Sequence, residues 1–220
     1  MRYALALTLA LVCGGCRREP TPPAAAGNYR SAPSAGDSRP VIVAFGDSLT
    51  AGFGVDPGKS YPDFLQQELD SRGYPYRVIN QGVSGDTTAD GLARIGMATA
   101  EKPAIVIVEL GANDGLRGLP VANTRANLDR IIREFRNSGA TVVLAGITLP
   151  PNYGPEYIRS FENLYRELAH QHRVALVPFI LEGVAGTTEF MQRDGLHANV
   201  EGNRRVAATV MKTLEPLLHK

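Results

Sequence analysis

Short apolar runs rich in β-branched residues, separated by helical stripes, constrain this 220-residue chain more than any other feature. Val41-Ile-Val-Ala-Phe45, Ala104-Ile-Val-Ile-Val-Glu-Leu110, Thr141-Val-Val-Leu-Ala-Gly-Ile147 and Val174-Ala-Leu-Val177 show almost no polar alternation. That pattern predicts strands buried on both faces. Tyr76-Arg-Val-Ile-Asn80 is a weaker fifth. Between the runs, Leu128, Ile131, Ile132 and Phe135 recur at helical spacing and stop before Gly139, a suitable C-terminal glycine. Tyr61, Phe64, Leu65 and Leu69 make a second stripe, Ile158, Phe161, Tyr165 and Leu168 a third, and Val206, Val210 and Leu214 mark a last helix. Strand alternating with helix predicts an α/β domain, a parallel sheet covered on both faces, with its site at the carboxyl ends of the strands. The length suits one domain, and no internal repeat is present.

Charge and cysteine content narrow the partners. Lys and Arg number 23 against 22 Asp and Glu, a net charge of +1 that lacks the basic excess needed to attract phosphate backbones, so nucleic acid is not an expected partner. The two cysteines, Cys13 and Cys16, are too few for a disulfide framework or a four-thiolate zinc site and too near the N-terminus to cross-link a core. Met1-Arg2, the apolar run Tyr3 to Val12 and the pair Gly14-Gly15 predict a secretory signal over residues 1–16, the run being shorter than the about 20 residues of a membrane span. Its end, Val12-Cys-Gly-Gly-Cys16, resembles a bacterial lipobox with Cys16 as the lipidated residue; Cys13, where Leu is usual, departs from that pattern. The alternative is a plain signal cut nearby, leaving an incidental thiol. Residues 17–39, rich in Pro, Ala, Gly and Ser, predict a disordered tether ahead of a folded domain at 40–220. The expected location is the bacterial cell envelope, in the periplasm, with the membrane reached through a lipidated N-terminus and a monomeric domain.

Each strand of such a sheet delivers its functional residues just past its last apolar position. Four segments meet that rule: Gly46-Asp-Ser48-Leu after Phe45, Gln81-Gly-Val-Ser-Gly85-Asp-Thr after Asn80, Gly111-Ala-Asn113-Asp after Leu110, and Asp194-Gly-Leu-His197 before the last helix. A serine hydroxyl needs a base within hydrogen-bond reach, itself oriented by a third group. Ser48 sits where a strand turns into a loop; taken alone it reads as a turn or cap residue, and only its context makes it a nucleophile candidate. Ser84 lacks the glycine that a G-x-S-x-G elbow needs, since Asp86 stands there, and is read as a loop residue. Of the four histidines, His170 and His172 end a polar helix and His219 lies in the tail, leaving His197 as the candidate base and Asp194 as its orienter. An acyl transfer also needs donors aimed at the developing oxyanion. The Gly85 and Ser48 N–H groups and the Asn113 side-chain amide are the candidates, although Asn113-Asp114 alone reads as an Asx turn. Gly58-Lys59-Ser60 is not a phosphate loop, because Phe53 occupies the required glycine position, and Gly52-Phe-Gly54 fails as a dinucleotide fingerprint at Pro57.

Together, Gly46-Asp-Ser-Leu49, Gly85, Gly111-Ala-Asn-Asp114 and Asp194-x-x-His197 resemble the four blocks of the GDSL/SGNH hydrolases, in order and separation across residues 41–215. Val83-Ser-Gly-Asp-Thr87, Gly91-Leu-Ala-Arg94, Val108-Glu-Leu-Gly111, Asn113-Asp-Gly-Leu-Arg-Gly118 and Leu149-Pro-x-Asn-Tyr-Gly154 look like the bacterial multifunctional acyl-thioesterase/lysophospholipase/arylesterase group. The resemblance implies a three-layer α/β/α sandwich on a flavodoxin-like, five-stranded parallel sheet. It also implies a serine esterase with Ser48 as nucleophile, His197 as base and then acid, Asp194 as orienter, and Ser48, Gly85 and Asn113 as the oxyanion hole. No metal or cofactor is called for. The long tether departs from relatives that are often soluble. Substrate choice is expected in the loops carrying Leu116, Leu119, Pro150, Asn152 and Tyr153, and in residues 183–190, with a medium-length acyl ester or lysophospholipid as guest. The rival readings are a carbohydrate O-deacetylase built on the same blocks and a non-catalytic surface binding module.

Overall fold

A computed structural model describes residues 37–220. The leader, Cys13, Cys16 and the tether up to residue 36 lie outside the described residues. Five strands form one parallel sheet: β1 (Val41–Gly46), β2 (Arg77–Gly82), β3 (Ile105–Glu109), β4 (Thr141–Ala145) and β5 (Ala175–Val177), in the spatial order β2-β1-β3-β4-β5. This is the flavodoxin-like order, whose direction reverses between β1 and β3. The helices are α1 (Ser48–Ala51), α2 (Tyr61–Ser71), α3 (Thr88–Thr99), α4 (Ala112–Leu116), α5 (Val121–Asn137), α6 (Pro155–His172) and α7 (Val200–Leu214). Helices α2 and α7 pack together on one face of the sheet, and α3, α5 and α6 on the other, giving the expected three layers.

The apolar runs fill the core for the reason their composition suggests. Every residue of β1 and β3 is buried, as is every residue of β4 after Thr141. The stripe Leu128, Ile131, Ile132 and Phe135 on α5 is wholly buried, and Phe135 meets Phe45 edge to face at 5.2 Å. The weaker fifth run is an edge strand: β2 is only half buried along its length, which accounts for its diluted apolar signal. Helix α3 carries only a thin apolar stripe: Leu92 and Ile95 pack against the core but stay partly exposed, and the fully buried positions are small. Thr88, Gly91 and Ala98 face inward, and a Cβ on Gly91 would collide with Leu110 beneath it.

The chain enters at the amino edge of the sheet. Residues 37–39, expected within the tether, are fastened there: Asp37 pairs with Arg39 at 2.7 Å and lies 3.8 Å from Arg77 at the start of β2. From there β1 runs the full depth of the domain and ends at Gly46, beneath Ser48. Among the described residues, no helix is long and apolar enough to cross a membrane.

Candidate active site

The sharp turn after β1 is forced by crowding. A Cβ at Gly46 would strike the Thr50 hydroxyl and both the carbonyl and side chain of Glu109, so only glycine fits. Asp47 follows, fully buried, and its Oδ1 accepts the Leu49 N–H at 3.0 Å, capping α1. Ser48 is the first residue of that helix, partly exposed at the carboxyl edge. Across the sheet, Gly111 adopts φ +121°, and a Cβ there would meet the hydroxyl of Tyr165, which donates to Leu110 O at 3.0 Å. That turn starts α4 and sets Asn113 beside Asp47 and Asp86.

The loop ahead of α7 brings the imidazole to the serine. Asp194 Oδ1 accepts the backbone N–H groups of Leu196 and His197 at 2.9 and 3.0 Å, and its Oδ2 lies 2.7 Å from His197 Nδ1. An ionised carboxylate can only accept, so Nδ1 carries the hydrogen and Nε2 is left to accept from the Ser48 hydroxyl, 2.8 Å away. Partial burial pushes the Asp194 carboxyl up. The hydrogen bonds from the His197 ring and from the backbone of His197 and Leu196 outweigh it and hold the group below its ordinary range. Asp194, His197 and Ser48 thus form one continuous hydrogen-bonded chain, whose link from His197 to Ser48 joins residues 149 apart in sequence.

The oxyanion candidates converge from the neighbouring strands. Gly85 lies in the exposed loop after β2, with φ +89° and open space where a side chain would project. Its carbonyl is held by Arg117 at 2.9 Å. Asn113 Nδ2 donates to Asp86 O at 2.9 Å and, at the longer distance of 3.2 Å, to Asp47 Oδ2. A developing oxyanion has to share or replace the longer contact. Asp114 does not close an Asx turn: it is buried and accepts from Thr88 N and Oγ1 at 2.8 and 2.6 Å, tying α3 to α4. Ser84 is exposed in its loop, and His172 is buried against Asp129 at 2.7 Å, far along the chain from the serine. Among the described residues, no group of three or more His, Cys, Asp or Glu is placed to hold a metal ion.

Several residues that complete the site were assigned no role from the sequence. Arg94 on α3 bridges Asp86 at 2.6 Å and Gly46 O at 2.9 Å and lies over the Phe45 ring, fixing the Gly85 loop to the end of β1. Gln192 Nε2 donates to Phe53 O at 2.6 Å and to Ala198 O at 3.0 Å, clasping the segment after α1 to the histidine loop. The Phe53 ring rests 4.6 Å from the His197 ring. A shallow, mostly apolar crevice beside Ser48 and His197 is lined by Leu49, Phe53, Ile180, Leu181 and Val206. The residues expected to choose substrate lie elsewhere on the same edge: Tyr153 OH donates to Leu116 O at 2.7 Å, joining the two loops, while Leu119 and Asn152 are exposed and Pro150 is half buried.

Under the serine, Glu109 is as buried as Asp47. Its Oε2 accepts from Thr50 Oγ1 at 2.8 Å and from Asp47 N at 3.4 Å, and its Oε1 has no hydrogen-bond partner. Burial, reinforced by the charge of Asp47, pushes the Glu109 carboxyl well above its ordinary value, and burial pushes Asp47 up to about 6.

A doubly wound α/β/α sandwich bearing a serine–imidazole–carboxylate chain at the carboxyl edge of its sheet has the form of a serine hydrolase, and the family and relatives that follow make it a carboxylic ester hydrolase. The chain belongs to the GDSL-like Lipase/Acylhydrolase family, whose model matches residues 44–205. It is 47% identical over 178 residues to Esterase TesA of Pseudomonas aeruginosa, covering 80% of this chain and 89% of the relative. A crystal structure of TesA superposes with a TM-score of 0.79 over 81% of this chain and 99% of the other. The chain is 42% identical over 174 residues to an Arylesterase of Vibrio mimicus, with 79% and 87% covered. It is 36% identical over 179 residues to Thioesterase 1/protease 1/lysophospholipase L1 of Escherichia coli, with 81% and 85% covered.

Proposed function

We propose that the domain hydrolyses carboxylic esters, and thioesters of the same acyl groups, through an acyl-enzyme on Ser48. The observation that carries this is the unbroken chain from Asp194 Oδ2 through His197 to Ser48 Oγ, with links of 2.7 and 2.8 Å. Ser48 Oγ attacks the acyl carbonyl while His197 Nε2 takes its proton. The N–H groups of Ser48 and Gly85 and the amide of Asn113 hold the oxyanion. The bond to the leaving alcohol or thiol then breaks, and His197 returns the proton to the leaving group. Water repeats the cycle: His197 takes its proton, the hydroxide attacks the ester carbon, and Ser48 regains its hydrogen.

The names of the relatives support aryl esters, acyl thioesters and lysophospholipids as substrate classes. The apolar side chains in the loops carrying Leu116, Leu119 and Tyr153 support an acyl chain of medium length over acetate. For the N-terminus we keep the reading of export with lipidation at Cys16, which would moor the monomeric domain at 40–220 to an envelope membrane. The decisive experiment is labelling by a fluorophosphonate probe together with turnover of p-nitrophenyl esters. Wild type labels and turns over, and Ser48→Ala does neither while keeping its melting temperature. Labelling that persists in Ser48→Ala removes the assignment.

A further inference from the structure

Two fully buried carboxyl groups lie side by side beneath the serine, and among the described residues no cation pairs with either. The nearest guanidinium, that of Arg94, is spent on Asp86 and on the carbonyl of Gly46. The donors that reach the pair are few. Leu49 N and Asn113 Nδ2 serve the two oxygens of Asp47, and Thr50 Oγ1 and Asp47 N both serve Oε2 of Glu109. Oε1 of Glu109 receives nothing. Two ionised carboxylates at such a site would repel one another and leave a charged oxygen buried without a donor, which is strongly unfavourable.

We infer that Glu109 is a positioning residue that carries a proton at neutral pH and donates it to the Asp47 carboxylate, so that the pair holds a single negative charge. The two groups are adjacent, as this requires: Asp47 N lies 3.4 Å from Glu109 Oε2, and Glu109 Oε1 has no partner among the described residues. Two consequences reach the reacting atoms through Asp47 and Asn113. Glu109 satisfies part of the acceptor demand of Asp47 and so leaves the second hydrogen of the Asn113 amide free to turn to an oxyanion. It also prevents a second negative charge from lying under the place where oxyanion charge develops. The inference rests on the serine-esterase reading only for its effect on rate; the protonation itself is a property of the resting protein.

The pH behaviour has a fixed sign. Glu109 loses its proton as pH rises, and the added charge disfavours the oxyanion, so kcat falls on the alkaline side. The other groups facing the pair are Tyr61 from α2, Tyr165 from α6, Asp86 from the loop after β2, Arg94 from α3 and His197. Burial holds both phenols above the ordinary tyrosine range, so they stay neutral across this window.

Gln is the isosteric, permanently neutral donor and is the sharpest probe. Glu109→Gln should keep kcat within about threefold of wild type at pH 7 with KM little changed, and it should lose the alkaline decline. Glu109→Leu should lower kcat by roughly 30-fold or more, because the Asp47 carboxylate is left without its donor. Infrared difference spectra of wild type against Glu109→Gln, which need neither substrate nor turnover, should contain the carbonyl stretch of a protonated carboxylic acid. Absence of that band at pH 7 overturns the inference whatever the activities are, including when Glu109→Leu fails to fold. An alkaline decline that persists in Glu109→Gln, or a folded Glu109→Gln as impaired as Glu109→Leu, overturns the effect on rate. Failure of Ser48 to label with the phosphonate probe would instead strike the esterase reading and leave the infrared result standing.

Discussion

The two ends of the Ser48–His197 hydrogen bond sit in opposite kinds of surroundings. On the serine side, Asp47, Thr50, Glu109 and Asp114 are at most 2% exposed, and β1, β3 and α4 are fixed by the core around them. On the histidine side, Asp194, Gly195 and Leu196 are exposed, and the side chain of Asp194 retains 38% of its accessible surface. One half is rigid because it cannot move without opening the core. The other is held by a local ring of three hydrogen bonds onto Asp194 and by the Gln192 clasp. The same distance is therefore secured by burial on one side and by short-range polar geometry on the other, and the two halves should fail differently.

The contrast is sharpest for the exposed carboxylate. Asp194→Asn should reduce kcat by about 10³-fold, through loss of the Nδ1 tautomer, with little change in melting temperature because the asparagine oxygen can still accept the Leu196 and His197 N–H groups. A large drop in stability would show that the histidine loop is built into the core after all. Asn113→Ala, on the buried side, should cost about 10²–10³ in kcat, or about 3–4 kcal/mol. It should also lower stability, since Asp86 O and Asp47 lose their donor. A change confined to KM would reassign Asn113 to substrate positioning. The smallest effect is expected at the clasp: Gln192→Met keeps the length of the side chain and removes the donor, and should lower kcat about tenfold by loosening the register of His197 against Ser48. Unchanged kcat with a lowered melting temperature would make Gln192 a purely structural tie.

Much of the site was legible because its members stand at strand ends, where an apolar run stops and a short polar motif begins. Ser48, Gly85 and Asn113 follow β1, β2 and β3, and the parallel order brings those ends together across the point where the sheet reverses. His197 and Asp194 were legible from their spacing and from the scarcity of histidine. Glu109 escaped assignment although a signal was present: it is the lone acid within an otherwise apolar buried strand, which has to be neutralised or partnered. Arg94, Gln192 and Phe53 act through backbone carbonyls and ring contacts between segments distant in sequence, and such contacts leave no periodicity to read. Helix α3 was hidden for a related reason, since its fully buried positions are Thr, Gly and Ala and only Leu92 and Ile95 supply apolar bulk.

The route by which the polypeptide enters the domain has an orientational consequence. Asp37 and Arg39 are pinned at one pole, and β1 carries the chain through to the reactive hydroxyl at the other, a rise of roughly 20 Å over its six residues. The point near Asp37 where the described chain begins and the Ser48 hydroxyl therefore lie at opposite ends of the sheet.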